Sequence, residues 1–244
     1  MRFAAIADIH GNSDALAAVL ADIADLGIDE VVNLGDHLSG PLEPVRTAEM
    51  LMARGFPSVR GDQDRHIVDL ARSGSSSRRD VSALSQAHVG WLAAQPPTLT
   101  YRDDVFLCHA APDDDAAFWL EEMMDDGTLR PNSLAHITAR ASGIDASLIL
   151  CGHSHIPRVV RLRDGRLIVN PGSVGLPGYR GRPPNIYQVE TGTPDACYAI
   201  LERRRGPWSV TLRYVPYDAT AMSARARRHG MHDWANAIAT GFVD

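Results

Sequence analysis

The chain has 244 residues, 45% of them hydrophobic and 22% charged, which is typical of a globular protein with room for one α/β domain. Its formal net charge of -6 disfavours a nucleic-acid or anionic-membrane partner. No apolar run approaches the roughly 20 residues of a membrane helix, and the N-terminal stretch lacks a signal-peptide pattern. We therefore expect a cytoplasmic protein without disulfides, in which Cys108 and Cys151 are buried thiols.

The first sixty residues predict a βαβ opening. Short, continuous apolar runs are typical of parallel strands that are buried on both faces, and between two such runs the apolar residues recur at helical spacing. The predicted elements are a strand at residues 3–7, a helix from Asn12 or Ser13 to Gly27, a strand at residues 31–34, a helix at about residues 44–54 and a short strand ending near Val59.

The middle of the chain alternates polar and apolar segments. Its predicted elements are a small-residue polar loop at residues 71–80, a helix at about residues 81–94, strands at residues 105–108 and 146–151, and between these strands a helical insertion at about residues 113–142. The insertion carries Phe118 and Trp119. These two aromatic residues either shape a pocket or pack into the core, and core packing is the favoured interpretation.

The C-terminal part is predicted to be antiparallel and rich in strands. Residues 159–170 alternate around Asp164-Gly165, and residues 196–215 surround Gly206-Pro207, so each segment predicts a hairpin. A weakly helical tail follows at about residues 219–244. Residues 1–244 contain no linker, so we predict one domain with two packed sheets flanked by helices.

The predicted strand ends carry three carboxylates and four imidazoles. Asp8 and His10 follow the first strand, Asp36 the second, Asp62 the third, His109 the strand at residues 105–108, and His153 and His155 the strand at residues 146–151. Ligands of open α/β sheets collect at the carboxyl ends of the strands, and residues i and i+2 of an extended segment face the same side. Each motif alone is more often a turn, but together they predict a site for divalent metal ions.

Five motifs resemble the signature blocks of the calcineurin-like metallophosphoesterases. They are "DIHGN", "GDHLSGP", "RGDQD", "CHAAP" and "CGHSH", and the later "NPGSVGLP" is similar to the small bacterial and archaeal branch of that family. This branch includes phosphodiesterases and relatives of diadenosine tetraphosphatases. The resemblance spans about residues 1–177. It implies an α/β fold, a four-layer αββα sandwich with two packed mixed β-sheets, and a two-metal site between the sheets.

The resemblance also implies how the metal ligands are shared. Asp8, His10 and His155 would hold one ion, Asp36 would bridge both ions, and Asp62, His109 and His153 would hold the second. The two divalent ions are drawn from Mn, Fe, Zn, Ni and Mg, with Mn favoured. In this mechanism the ions activate a shared hydroxide, which attacks phosphorus without a covalent enzyme intermediate.

The chain departs from the family pattern in "RGDQD". The family usually has Gly-Asn-His followed by an acid, whereas this chain has Gly61-Asp62-Gln63-Asp64. Asp62 can ligate a metal ion but cannot donate a hydrogen bond to a phosphate oxygen. With the charge of Asp62 included, a site of two divalent ions, three aspartates and one hydroxide is formally neutral. Gln63 cannot protonate a leaving group, and Asp64 loses the histidine that it would orient. Asp62 and Gln63 are therefore the catalytic candidates, with weakened or narrowed activity expected.

Other residues are weaker candidates. Arg60 is a substrate-binding candidate, with a surface arginine as the equal alternative. His37 and His88 are weak substrate-side candidates, and a tight turn near the site is favoured for Asn170 and Ser173. Surface or core positions are favoured for His66, His88, His136, His229 and His232.

Three functions remain open from the sequence. The first is metal-dependent hydrolysis of phosphodiesters. The second is action on phosphomonoesters, phosphoproteins or dinucleoside polyphosphates, and the third is a catalytically impaired metal-binding scaffold. The expected partner is a small phosphoester, with nucleotides among the candidates, and whether the chain forms a homo-oligomer is undecided.

Overall fold

A computed structural model describes residues 1–74, 78–181 and 186–244. The centre of the predicted polar loop at residues 71–80 lies outside these ranges. The strands are β1 (Arg2–Ile6), β2 (Val31–Asn33), β3 (Thr98–Tyr101), β4 (Val105–Cys108), β5 (Glu121–Met123), β6 (Leu129–Pro131), β7 (Leu148–Leu150), β8 (Arg158–Arg161), β9 (Leu167–Asn170), β10 (Gly178–Arg180), β11 (Gln188–Glu190), β12 (Ala196–Glu202) and β13 (Ser209–Val215). The helices are α1 (Ser13–Asp25), α2 (Pro44–Met52), α3 (Asp62–Arg72), α4 (Arg79–Ala83), α5 (Gln86–Ala94), α6 (Leu134–Arg140), α7 (Thr220–Arg228) and α8 (His232–Thr240).

Two mixed sheets form the centre of the fold. The first has the order β13-β12-β1-β2, in which β1 is parallel to β2 and antiparallel to β12. The second has the order β3-β4-β7-β9-β8, with a parallel centre and an antiparallel strand at each edge. Both hairpins predicted in the C-terminal part are present, as β8-β9 and β12-β13.

Side chains alternate between the two faces of each strand, so the two faces of a sheet pack into different hydrophobic cores. From β1, Ala4 and Ile6 pack with α1 on the outer face, while Phe3 and Ala5 join the inner core between the sheets. The second sheet supplies the inner core with Leu107, Leu150 and Val169. Its outer face packs against Ile137 of α6. The order of layers is therefore helix, sheet, sheet, helix, and the predicted four-layer αββα sandwich is confirmed.

The insertion is only partly helical, whereas the sequence predicts a helical insertion. Within residues 113–142 the structure has the β5-β6 hairpin followed by the single short helix α6. The reason is the turn at Asp126-Gly127: Gly127 has a φ of 80°, and the Asp126 carboxylate accepts the amide of Thr128 at 2.9 Å. Trp119 is buried in the core and donates its indole N–H to the Ile137 carbonyl at 3.2 Å.

Two other elements are shorter than the sequence predicts. The third strand is reduced to one parallel bridge between Asn33 and Ser58, because the chain turns into α3 only four residues later. The helix expected at residues 81–94 is divided into α4 and α5, since Ser85 caps a new helix by accepting the amide of His88 at 3.3 Å.

The composition led to the expectation that Cys108 and Cys151 are buried thiols, and the structure confirms it. All three cysteines are buried and free. Burial raises the pKa of the Cys108 and Cys151 thiols, so these side chains stay neutral. Among the residues that the structure describes, no helix is both long and apolar enough to cross a membrane.

A glycine behind the first strand end gives a test of the packing. A Cβ atom on Gly175 would lie 1.8 Å from the backbone carbonyl oxygen of Ile9. We expect Gly175→Ala to lower the free energy of unfolding by about 1–3 kcal/mol. Gly90→Ala on exposed helix α5, where a Cβ atom meets nothing within 4 Å, should raise it by about 0.5–1 kcal/mol. Urea denaturation of both variants checks this, and wild-type stability of Gly175→Ala would contradict the close approach.

Candidate metal centre

The structure brings all seven predicted ligands to one edge of the two sheets. Their donor atoms form three groups, in each of which all atoms lie within 4.8 Å of one another. The groups are Asp8, His10 and His155; Asp62, His109 and His153; and Asp8, Asp36 and His109. The first two groups have the same members as the two ligand sets that the family resemblance implies.

Asp36 lies between the two sets of ligands. Its Oδ1 atom is 3.5 Å from Nε2 of His109, and its Oδ2 atom is 3.6 Å from Nε2 of His10. On one side, Nε2 of His155 is 3.5 Å from Oδ1 of Asp8. If each group held a divalent ion, Asp36 would be within reach of both ions.

Five of the seven residues have a left-handed backbone. Asp8, His10, Asp36, His153 and His155 have φ values of 54°, 50°, 55°, 69° and 60°. Each such residue costs on the order of 1–3 kcal/mol unless its surroundings fix it. Backbone hydrogen bonds between the loops fix these conformations. The amide of Asp8 donates to the Gly35 carbonyl and the amide of His10 donates to the Asp36 carbonyl, both at 3.0 Å. The strain turns successive side chains inward from the strand ends.

Backbone carbonyls orient the buried imidazoles. Nδ1 of His109 lies 2.7 Å from the Leu34 carbonyl oxygen, and Nδ1 of His155 lies 2.6 Å from that of Leu176. A carbonyl only accepts, so Nδ1 carries a proton in both rings, and in the neutral form of each ring the Nε2 lone pair faces the centre. Both rings are therefore set as metal ligands.

Burial shifts the pKa values of the central groups. It raises the pKa of Asp8 to about 6 and lowers that of His10 to about 3, because each charged form loses its hydration. Burial and the nearby charge of Asp62 raise the pKa of Asp36 well above its ordinary value. At His109 burial acts to lower the pKa, but the charges of Asp36 and Asp62 outweigh it and raise the pKa. The buried carboxylates need compensating positive charge.

Six buried side-chain polar atoms have no hydrogen-bond partner among the described residues, and two of the six belong to predicted metal ligands. These two are Nε2 of His109 and Oδ1 of Asp62, which are 3.3 Å apart. An unpaired buried polar atom costs about 1–3 kcal/mol. Both atoms are metal-ligand types, and a set of imidazole nitrogens and carboxylate oxygens suits divalent Mn, Fe or Zn. The residues present therefore fit divalent metal ions.

Gln63 holds the Asp62 carboxylate. Its side-chain amide donates to Oδ2 of Asp62 at 2.7 Å, and its backbone amide donates to Oδ1 of Asp36 at 3.0 Å. The Oδ1 atom of Asp62 faces His153, whose Nδ1 is 3.2 Å away. Although burial opposes it, the neighbouring rings of His109 and His153 lower the pKa of Asp62, which stays a carboxylate. The two departures from the family pattern thus form a contacting pair.

Asp64 has more partners than the sequence interpretation assumed. Its carboxylate accepts the backbone amides of Gly61, Asp36 and His37 at 3.0, 2.9 and 2.9 Å. It also contacts Nδ1 of His37 at 2.6 Å. His37 is fully buried by this pairing, so it is not a substrate-side residue. Asp64 therefore links two segments, the loop that contains Asp36 and the N-terminal end of α3.

A cleft with a volume of about 970 Å³ opens over the ligands. Its lining includes residues that sequence reasoning did not select or placed elsewhere: Arg65, Arg78, Phe118, Tyr179, Arg180, Tyr187 and Trp234. His66 and His229 also line the cleft, although surface or core positions were expected for them. His66 follows Asp62 by one turn of α3, and His229 directly follows the last residue of α7. Only Phe118 carried a signal in the sequence, as an aromatic residue of the insertion.

The other predicted residues do not line the cleft. Arg60 is not among the lining residues, and its backbone amide donates to the Pro96 carbonyl at 2.8 Å. His88 lies in the first turn of α5, where it helps to cap the helix. Asn170 donates to the Gly152 carbonyl at 2.8 Å, and Ser173 donates to that of Asp8 at 2.7 Å, so both brace turns beside the ligands.

The profile of the calcineurin-like phosphoesterase superfamily domain matches residues 1–193. The chain belongs to the calcineurin-like phosphoesterase superfamily. The resemblance of the five motifs is thereby confirmed. Membership of this superfamily supports metal-dependent hydrolysis of phosphoesters, and the three groups of donor atoms are this member's candidate ligands for divalent ions.

Two solved structures share the fold over nearly the whole chain, and a third protein is similar in sequence. A metallophosphoesterase from Sphaerobacter thermophilus has a TM-score of 0.72 at 24% identity, covering 99% of this chain and 100% of its own. A hypothetical protein from Pyrococcus horikoshii OT3 has a TM-score of 0.73 at 18% identity, covering 98% of each chain. An uncharacterized protein of Methanocaldococcus jannaschii is 22% identical over 250 residues, 95% of this chain and 94% of the relative.

The Asp64 contacts generate a prediction for this phosphoesterase. Asp64→Ala leaves three backbone amides and His37 without their acceptor. We expect a loss of about 3–5 kcal/mol in the free energy of unfolding and about 10–100-fold weaker metal binding, since Asp36 loses its support. Thermal unfolding and Mn²⁺ titration measure the two effects. Unchanged metal affinity in a folded variant would contradict the fastening role.

Proposed function

We propose that this chain hydrolyses phosphodiesters with two divalent metal ions held by the seven converging ligands. The observation that carries this proposal is the position of Asp36, which lies between one ligand group containing His10 and another containing His109. Bound divalent ions would lower the pKa of a coordinated water and neutralise charge on the phosphoryl oxygens. Manganese is the ion proposed first.

The protein's own residues position the ligands and restrict the proton transfers. His109 and His155 present their Nε2 lone pairs because backbone carbonyls hold Nδ1. Gln63 fixes the Asp62 carboxylate, but an amide cannot give a proton to the leaving group. The proposed reaction therefore favours alcohols that leave without protonation, such as aryl alcohols.

The charge of Asp62 favours diesters over monoesters. Its carboxylate makes the site one positive charge lower than an asparagine would. A phosphodiester carries one negative charge, whereas a monoester approaches two near neutral pH. The attraction lost through Asp62 is therefore smaller for a diester.

The arginines of the cleft argue against a long polyphosphate. Those that line it within the described residues each pair with a carboxylate: Arg65 with Asp115, Arg78 with Asp80 and Arg180 with Asp244. The Arg65 pair is bidentate, with both distances 2.8 Å. Because each guanidinium is already neutralised, additional phosphates gain little there. We therefore propose a substrate with a single phosphoryl group in place of a dinucleoside polyphosphate.

A scaffold without catalysis is the less favoured alternative. All seven ligand positions hold ligand-capable residues whose donor atoms converge. Five of them keep a strained backbone that a purely structural loop does not need. These observations support a working site.

The main test is hydrolysis of bis(p-nitrophenyl) phosphate by metal-stripped protein supplied with Mn²⁺. Its leaving group needs little protonation, so Gln63 should not prevent turnover. We expect activity that requires Mn²⁺ and falls at least 100-fold in Asp36→Asn, together with bound metal, because a ligand between the two groups is lost. Asp125→Asn, a change at an exposed residue, is the matched control. Inactive protein shown to hold two ions per chain would favour the scaffold.

The pair Asp62 and Gln63 gives a second test. The double variant Asp62→Asn, Gln63→His restores the family pattern and should accelerate diesters with poor leaving groups more than p-nitrophenyl diesters. General acid catalysis is worth about 10²–10⁴ in rate. Gln63→His alone should bind Mn²⁺ more weakly than the wild type, since Oδ2 of Asp62 loses its donor. Equal acceleration of both leaving groups would rule out the missing-acid explanation.

A further inference from the structure

Three aromatic side chains form one wall of the cleft. This aromatic wall consists of Phe118, Tyr179 and Tyr187, which all line the cleft and are all half-buried. The ring centroids of Phe118 and Tyr187 are 5.2 Å apart with an interplanar angle of 77°, and those of Tyr187 and Tyr179 are 5.8 Å apart at 84°. The edge-to-face contacts hold the rings in fixed orientations.

The aromatic wall adjoins the metal ligands directly. The Phe118 ring lies 5.4 Å from that of His153, and the Tyr179 ring lies 4.6 Å from that of His155, measured between centroids. The Tyr179 hydroxyl donates to the His153 carbonyl at 3.3 Å. A phosphoryl group held at the ligands would therefore have one ester substituent against this wall.

The volume of the cleft and its arginines indicate which kind of ester substituent it would bind. Its volume of about 970 Å³ is large enough for a drug-sized molecule. The cleft arginines already pair with carboxylates, so they add little attraction for further phosphates. A neutral and planar group gains most from aromatic rings that line a cleft, because it can stack on them without losing hydration of a charge.

We propose that the aromatic wall is a binding subsite for a planar aromatic ester group of the substrate, with a nucleobase as its best-fitting form. The proposal rests on the phosphodiesterase function for the position of the phosphoryl group. Tyr187 is the residue that tests it best. It contacts Phe118 and Tyr179, and these two residues stand between it and the histidine ligands.

The experiment compares two ligands that differ only in the base. Adenosine 5′-monophosphate and ribose 5-phosphate are titrated into Mn²⁺-loaded protein by calorimetry. We expect the nucleotide to bind about tenfold tighter, as base–aromatic stacking contributes about 1–3 kcal/mol. Tyr187→Leu should bring the two dissociation constants together, while Tyr187→Phe, which keeps the ring, should preserve the difference. Tyr214→Leu, at an exposed tyrosine of β13, is the matched control.

The outcomes separate this inference from the proposed function. Equal affinities for the two ligands in a wild-type protein that hydrolyses bis(p-nitrophenyl) phosphate would overturn the subsite and leave the function standing. A base preference that depends on Tyr187 in a protein without hydrolytic activity would support the subsite and count against the function. A base preference unchanged in Tyr187→Leu would also overturn the subsite.

Discussion

The burial of three carboxylates beside four imidazoles is the constraint on which this structure depends. Asp8 and Asp36 are almost fully removed from water, and burial raises the pKa of both. Within the part of the chain that the structure describes, the side chains paired with these two carboxylates are the imidazoles of the ligand groups. The surrounding fold therefore has to hold a cluster that is unfavourable without cations. The left-handed backbones and loop-to-loop hydrogen bonds at the strand ends provide that hold.

Several elements around the ligand cluster together fix its geometry. Asp64 binds the Asp36 loop through the backbone amides of Asp36 and His37. The C-terminal helices pack on Leu42 and Leu176, and Trp234 of α8 approaches the His10 ring edge-on at 5.6 Å. Since the Leu176 carbonyl orients His155, the tail and a metal ligand are linked through one turn. Segments distant in sequence thus determine the geometry of each ligand.

The pairing of Asp62 with Gln63 connects the cluster to substrate choice. An amide at residue 63 can hold the neighbouring carboxylate, but it removes a proton donor from the site. The added negative charge and the neutralised arginines both reduce attraction for highly charged esters. The aromatic wall supplies the alternative source of binding energy. Charge and packing are thus the two grounds on which we propose a diester with an aromatic substituent.

The convergence of the seven candidate ligands, the two C-terminal hairpins and the capped first helix were predictable from the sequence, because each rests on local rules. Buried strands are short apolar runs, and residues at their ends meet at one sheet edge. The β5-β6 hairpin escaped prediction, since the Asp126-Gly127 turn competes with helical spacing that the flanking residues also satisfy.

Only the tertiary structure decided which side chains face the cleft. Phe118 lines it and Trp119 enters the core, although they are adjacent in sequence. Arg65 lines it and Arg60 does not, because α3 turns the former toward the opening. The partners of Asp64 and the three rings of the aromatic wall come from separate segments. The sequence alone determined the kind of chemistry, because ligand type is local, whereas substrate fit depends on contacts between distant segments.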